Sequence, residues 1–148
     1  MRAPSIPILL VLAACGGSSA NTATTPRTSS PQAVTAFMRA AADSNITRMA
    51  QLWGTSKGPV SQAPVPNYEK RLAVLQAYLH GDSTHVVSDM PVQGDANHRQ
   101  VIVALYRGTC VKQIPVTTVR IKEGTWIVEQ VNVAAAGNPA RPCEGGSH

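Results

Sequence analysis

Two side chains of this 148-residue sequence could carry out acid–base chemistry, and they lie four positions apart. His85 and Asp89 fall in a valine-rich stretch that predicts a β-strand. Because side chains alternate along a strand, both would lie on one face, where an imidazole and a carboxylate can exchange protons with a substrate. Val86, Met90 and Val92 form a more apolar face of the same strand. The sequence therefore leaves open whether the His85/Asp89 face points into the protein or to water.

The rest of the sequence has few other patterns typical of catalysis. Neither HxH nor HExxH occurs, so we expect no metal site and interpret the histidines as surface residues: His80, His85, His98 and His148. The sequence contains no glycine-rich phosphate loop and no nucleophile elbow, so we expect no cofactor. The net charge is +5, but no run of Lys or Arg occurs and only one Phe could stack on bases, which argues against a nucleic-acid partner.

The first 15 residues are typical of an export signal. Arg2 precedes a short apolar run, residues 6–12, which Pro7 interrupts and which is too short to span a bilayer. The sequence Leu-Ala-Ala-Cys that ends at Cys15 resembles the lipobox of bacterial lipoproteins. The resemblance implies cleavage after residue 14, lipidation of Cys15 and a membrane anchor of acyl chains. We therefore expect the protein in the bacterial cell envelope, outside the cytoplasm, and on the outer membrane if the organism is Gram-negative. An ordinary secretory signal followed by a chance Cys is the alternative.

The two remaining cysteines, Cys110 and Cys143, predict a disulfide, because thiols of exported domains are usually oxidised. The bridge would attach a polar tail, residues 138–148, to a strand connection near Cys110. Two free thiols are the alternative. A redox-active pair would normally be closer in sequence, as in CxxC.

Residues 15–30 are rich in Gly, Ser and Thr and predict a flexible tether, which leads into one globular domain at residues 31–137. The domain begins with three predicted helices, over residues 31–43, 46–53 and 68–80. Their starts are marked by capping residues: Ser30 before Pro31, Ser44 or Asn45, and Asn67. The third helix carries a stripe of leucines, and Gly81 ends it.

The hydrophobic period then changes to that of strands. Val, Ile and Thr dominate four segments: 84–92, 99–107, 112–122 and 125–134. Glycines lie in the gaps between them, so antiparallel strands with short connections follow. We expect Trp126 in the last strand to be largely buried, and Arg99 and Arg107 to lie on a solvated strand face. The predicted class is α+β, with three N-terminal helices packed on one face of a curved four-stranded antiparallel sheet.

This element order, together with a short helix ending Met-Ala-Gln-Leu-Trp-Gly at Gly54 and a last strand opening Gly-Thr-Trp-Ile-Val at Gly124, resembles the nuclear-transport-factor-2-like superfamily. That group includes ketosteroid isomerases and polyketide cyclases. The resemblance covers about residues 31–135. It implies a cone-like fold, in which a bent sheet wraps the helices and leaves an apolar cavity at its open end.

Three hypotheses about function follow. The leading one is a membrane-anchored, non-catalytic module that binds a small apolar ligand or an envelope protein partner, or acts as a scaffold. Its ligand site would lie between the helices and the sheet, lined by four large side chains: Phe37, Leu75, Tyr78 and Tyr106. The resemblance also allows an isomerase- or cyclase-type enzyme with Asp89 or His85 as the base. The third hypothesis is a purely structural envelope lipoprotein.

Overall fold

A computed structural model describes residues 28–122 and 124–144. The predicted signal, the lipobox at Cys15 and most of the predicted tether lie outside the described residues, as does the end of the tail. Across the described ranges, no helix has the length and apolar character needed to cross a membrane.

Helix α1, Ser30–Ala42, begins with a capping box. Ser29 rather than the predicted Ser30 is the N-cap: its side chain accepts from the backbone of Gln32, and the Gln32 side chain accepts from the Ser29 amide. The Ser30 hydroxyl is instead buried and lies 2.6 Å from the Thr118 hydroxyl. Ser29 and Ser30, which were predicted as the end of the tether, are therefore part of the domain, and Ser30 contacts the sheet through Thr118.

Helices α2, Ile46–Leu52, and α3, Tyr68–Leu79, are close to their predicted ranges. The Asn45 side chain caps α2, as predicted, by accepting from the Arg48 amide. Asn67 makes no capping bond and lies in the left-handed backbone region, so the predicted cap there is wrong. The predicted loop between α2 and α3 contains a two-residue ladder of β1, Gly54–Thr55, with β2, Gly58–Pro59.

Four antiparallel strands follow in the order β3-β4-β5-β6. Their bounds are Ser83–Val92, Asp95–Arg107, Cys110–Arg120 and Trp126–Val131. Gly94, Gly108 and Gly124 occupy the connections with positive φ, a conformation that glycine adopts without strain. A 3₁₀ helix, η1, spans Val133–Ala136 where the sequence predicted more strand, because the Asn132 side chain caps it. The predicted class, three N-terminal helices and a four-stranded antiparallel sheet, is confirmed.

The helices cover one face of the sheet, which we call the inner face. It carries Val101, Val103 and Leu105 of β4 and Ile114 and Val116 of β5, all of them buried. The helices contribute the other half of this core with Val34, Phe37, Met38, Met49, Leu72 and Leu79, each at most 1% exposed. The opposite, outer face carries Gln100, Tyr106 and Val111, which are exposed. The main hydrophobic core therefore lies between the helices and the inner face, while Ala104, Val119 and Ile127 of the outer face are also buried.

The two tryptophans differ in burial. Trp53 follows α2 and is 3% exposed in the core. Trp126 is partly buried and is less completely covered than Trp53. It is the first residue of β6, at a corner of the sheet, where the Arg120 guanidinium lies 5.9 Å from the ring centroid. An end-of-strand position has fewer neighbours to cover a large ring than a central one.

The predicted disulfide is present between Cys110 and Cys143, whose Cα atoms are 5.3 Å apart. The distance is typical of a disulfide. The Lys112 ammonium also donates to the Glu144 carbonyl at 3.0 Å. The beginning of the tail is therefore attached to β5.

Candidate functional site

The structure does not bring His85 and Asp89 together. A β-bulge between Val86 and Ser88 inserts one extra residue in β3. His85 is consequently opposite Ala104, whose side chain is on the outer face, and Asp89 is opposite Val101 on the inner face. The expectation that the two side chains share a face is therefore wrong.

Each of these two residues has a different environment. The Asp89 carboxylate accepts from the Arg99 guanidinium at 2.7 Å, and this hydrogen bond raises the pKa of Arg99. The Asp89 side chain is thus engaged in an ion pair within the sheet. His85 is exposed and lines an open cleft of about 670 Å³ between α1 and β3, together with Arg39 and Arg48.

A second imidazole, which sequence reasoning treated as an isolated surface residue, lies between two carboxylates. His98 Nδ1 is 2.6 Å from Asp95 Oδ2, and His98 Nε2 is 2.9 Å from Glu129 Oε2. The Asn97 amide also donates to Asp95 and lowers the pKa of that carboxyl. The two carboxylates bind opposite edges of the ring and do not converge on one point, and no metal-binding group of three His, Cys, Asp or Glu occurs in the described ranges. The arrangement links β4 to β6.

Arg107 is buried, contrary to the prediction of a solvated strand face. Its guanidinium donates to three carbonyl oxygens, those of Tyr78 and His80 at the end of α3 and that of Ala136 in η1. Burial lowers the pKa of Arg107. Because carbonyl oxygens at helix C-termini carry partial negative charge, they compensate this cation without a carboxylate. Arg107 fastens the end of α3 to η1.

A cleft with a largely apolar lining runs between α3 and β6, and we call it the α3–β6 groove. Its volume is about 410 Å³. The lining residues are Trp53, Lys70, Arg71, Val74, Leu75, Glu129, Gln130, Val131 and Val133. The size is in the range of small-molecule sites, and an apolar lining with few polar groups is typical of them.

The sequence of α3 explains why one side of the groove is apolar but open. Leu72, Leu75 and Leu79 face the core. Val74 and Tyr78, four residues apart, lie on a neighbouring face of the same helix and are 52% and 38% exposed. An exposed valine and tyrosine beside a buried leucine stripe widen the apolar face beyond what the core covers.

The cationic end of the groove is built on Trp53. The Trp53 indole N–H donates to the Glu129 carbonyl at 3.0 Å, and a backbone bridge to Val128 also holds this residue. The Arg71 guanidinium lies 4.7 Å from the centre of the Trp53 ring, in cation–π contact. A buried and hydrogen-bonded indole thus positions an exposed cation.

The α3–β6 groove continues in both directions. Beyond Val74 and Val133 it joins a shallower cleft of about 570 Å³ that Tyr78 and Gly137 also line. On the far side of Arg71 it joins a smaller cleft of about 250 Å³ against β1. The groove is therefore longer than the first cleft alone.

The four pocket residues named from the sequence are not gathered at one site. Leu75 lines the groove and Tyr78 its continuation. Phe37 is 0% exposed in the packed core, and Tyr106 is 39% exposed on the outer face of the sheet. The groove residues that the sequence analysis missed include Arg71 and Val74. For Val74 the signal was an apolar residue next to the leucine stripe of α3.

No family model, curated protein or solved structure matches this chain.

Proposed function

We propose that this protein is a bacterial envelope lipoprotein whose domain binds an apolar ligand in the α3–β6 groove without catalysing a reaction. The observation that carries the proposal is the exposed apolar strip of Val74 and Tyr78 beside a cleft of about 410 Å³. Exposed apolar surface that borders a cleft is costly in water and is typical of binding sites.

We further propose that the domain is a cone-like member of the nuclear-transport-factor-2-like superfamily. The element order supports this proposal, as do three register shifts, two between β3 and β4 and one between β5 and β6. Bulges bend the strands that contain them, so a sheet with such irregularities is suited to curve around a helix layer.

The proposed membrane anchor agrees with the position of Thr28. Its carbonyl accepts from the Trp126 amide, and its hydroxyl donates to the Trp126 carbonyl at 3.3 Å. The chain therefore enters the domain at the first residue of β6, the strand that forms one wall of the groove. An anchor at Cys15 would connect the membrane to the domain at this end of β6.

Binding is tested with the soluble chain, residues 16–148, exported from a heterologous signal so that the disulfide forms. Nile red, a neutral apolar dye, should bind saturably, and Val74→Asp should weaken its binding at least about ten-fold, since a buried charge is costly. Val111→Asp is the matched control, because Val111 is also exposed, at 50%, but lies on the sheet. Dye binding that is not saturable, or that both variants weaken equally, would remove the groove as the site and leave the scaffold hypothesis.

The anchor is tested separately in cells that produce the full chain. Labelled fatty acid should be incorporated into the wild-type protein and not into Cys15→Ala, which should accumulate as an uncleaved precursor. Acyl labelling that persists in Cys15→Ala would contradict the lipobox assignment.

A further inference from the structure

We infer that the ligand of the α3–β6 groove is a single-chain fatty acid, with its carboxylate at Lys70 and Arg71 and its alkyl chain along Val74 toward Tyr78. This inference rests on the proposed binding function and names the ligand class. The geometry behind it is a pair of cations at one end of a strip that is otherwise apolar.

The position of the ligand carboxylate is inferred from the contacts of the Arg71 side chain. Its planar face is occupied by Trp53, while no described residue accepts a hydrogen bond from its side chain or forms an ion pair with it. A guanidinium stacked on an aromatic ring keeps its N–H donors free, because they point outward in the plane of the guanidinium, where they can bind a carboxylate with two parallel hydrogen bonds. Lys70 adds a second cation at the same end.

Glu129, the acidic residue of the lining, does not neutralise the positive charges of Lys70 and Arg71. The Glu129 side chain is engaged by His98 Nε2 at 2.9 Å, on the outer face of the sheet. Its carbonyl, which holds Trp53, is the group that faces the helices. The cationic end of the groove is thus available to an anion, and charge complementarity favours an anionic head group over a neutral or cationic one.

The alkyl end is assigned from the direction of the apolar strip. Arg71, Val74 and Tyr78 follow one another along one side of α3, and the rise of seven positions from Arg71 to Tyr78 corresponds to about 10 Å of helix. Leu75 and Val131, both 8% exposed, form the floor of the groove beside Val133. A chain that extends from Arg71 to Tyr78 and into the adjoining cleft would cover the exposed part of Val74.

A photo-crosslinking experiment tests the ligand class with the full chain in isolated envelope membranes. The probes are hexadecanoic acid with a diazirine on its alkyl chain and the methyl ester of the same molecule. The acid should label peptides of α3 and of the segment from β6 to η1, in competition with unlabelled hexadecanoic acid. Lys70→Gln/Arg71→Gln should raise the acid concentration needed for half-maximal labelling at least about ten-fold, the effect of losing one charge-assisted hydrogen bond. Labelling by the ester should not change.

The matched control is Arg39→Gln/Arg48→Gln, which removes two exposed cations from the cleft between α1 and β3 and should leave labelling by both probes unchanged. If acid and ester label the groove equally in the wild-type chain, the fatty-acid inference is wrong while the binding function stands. If neither probe labels the groove, the inference and the proposed lipid-binding use of the groove both fail, and a protein partner is the better occupant.

Discussion

Replacement of Arg107 by Met should destabilise the domain more than any substitution of an exposed cation. The substitution removes three hydrogen bonds, those to the carbonyl oxygens of Tyr78, His80 and Ala136. Hydrogen bonds from a charged group contribute about 1.5–3 kcal/mol each, so the gross loss is roughly 4–9 kcal/mol. Removal of a buried cation also recovers several kcal/mol of desolvation. We therefore expect a net loss of about 3 kcal/mol in the free energy of unfolding.

The assay is urea unfolding of residues 16–148 with the disulfide intact, with amide hydrogen exchange as a second measurement. Exchange should become faster at the end of α3 and in η1, because these are the two elements that Arg107 joins. Arg107→Lys should also be destabilising, since one ammonium cannot reach both elements with the geometry of a guanidinium.

The control is Arg120→Met, which removes an exposed guanidinium that donates to Asn97 at 3.1 Å. An exposed polar contact of this kind contributes less than about 1 kcal/mol. If Arg107→Met costs as little as Arg120→Met, or if exchange in α3 and η1 does not change, Arg107 does not fasten the two elements.

Three further predictions follow from the fold. Replacing both Cys110 and Cys143 by Ser should cost about 3–4 kcal/mol in urea melts, since the bridge closes a sequence separation of 33 residues; a loss below about 1 kcal/mol would show that the tail contributes little. Trp53→Ala should cost about 3–5 kcal/mol and Trp126→Ala clearly less, because only Trp53 is fully buried; equal losses would contradict the burial difference. The lowered pKa of Asp95 means that its contribution to stability is present above its ordinary value of 3.8 and disappears as the pH falls through the lower folded-state value. Asp95→Asn should therefore make the free energy of unfolding depend less steeply on pH below about 4. If the pH dependence in this range is the same in the variant and the wild type, the contacts of Asp95 in the folded state do not contribute to stability.

The elements of this fold could be predicted because their signals are local. Proline and capping residues mark the start of α1, Asn45 marks the start of α2, and the runs of Val, Ile and Thr between glycines mark the strands. These features act through nearby backbone, so neighbouring residues determine them.

The faces of the strands could not be predicted, because they depend on pairing between strands. The bulge after Val86 changes which face Asp89 occupies, and it exists only in the register of β3 with β4. In β4 apolar residues occur on both faces of the strand, so the sequence did not show that Leu105 points inward and Tyr106 outward. For the same reason the burial of Arg107 was missed, since it depends on two helix ends that come together only in the folded chain.

The candidate site was predicted only in part. The leucine stripe correctly placed Leu75 on the inner side of α3, and Tyr78 was named with it. The contact of Arg71 with Trp53 joins a residue of α3 to the residue that follows α2, and no spacing in the sequence predicts it.

The central claim, that the α3–β6 groove is a binding site, is tested most directly by NMR titration of the soluble chain, residues 16–148, with a neutral alkyl ligand such as dodecanol. We predict saturable amide shifts that cluster at Trp53, along α3 from Lys70 to Tyr78, and from Glu129 to Val133. Saturable shifts centred on Tyr106 and Val111 of the outer face, or shifts that never saturate, would contradict it.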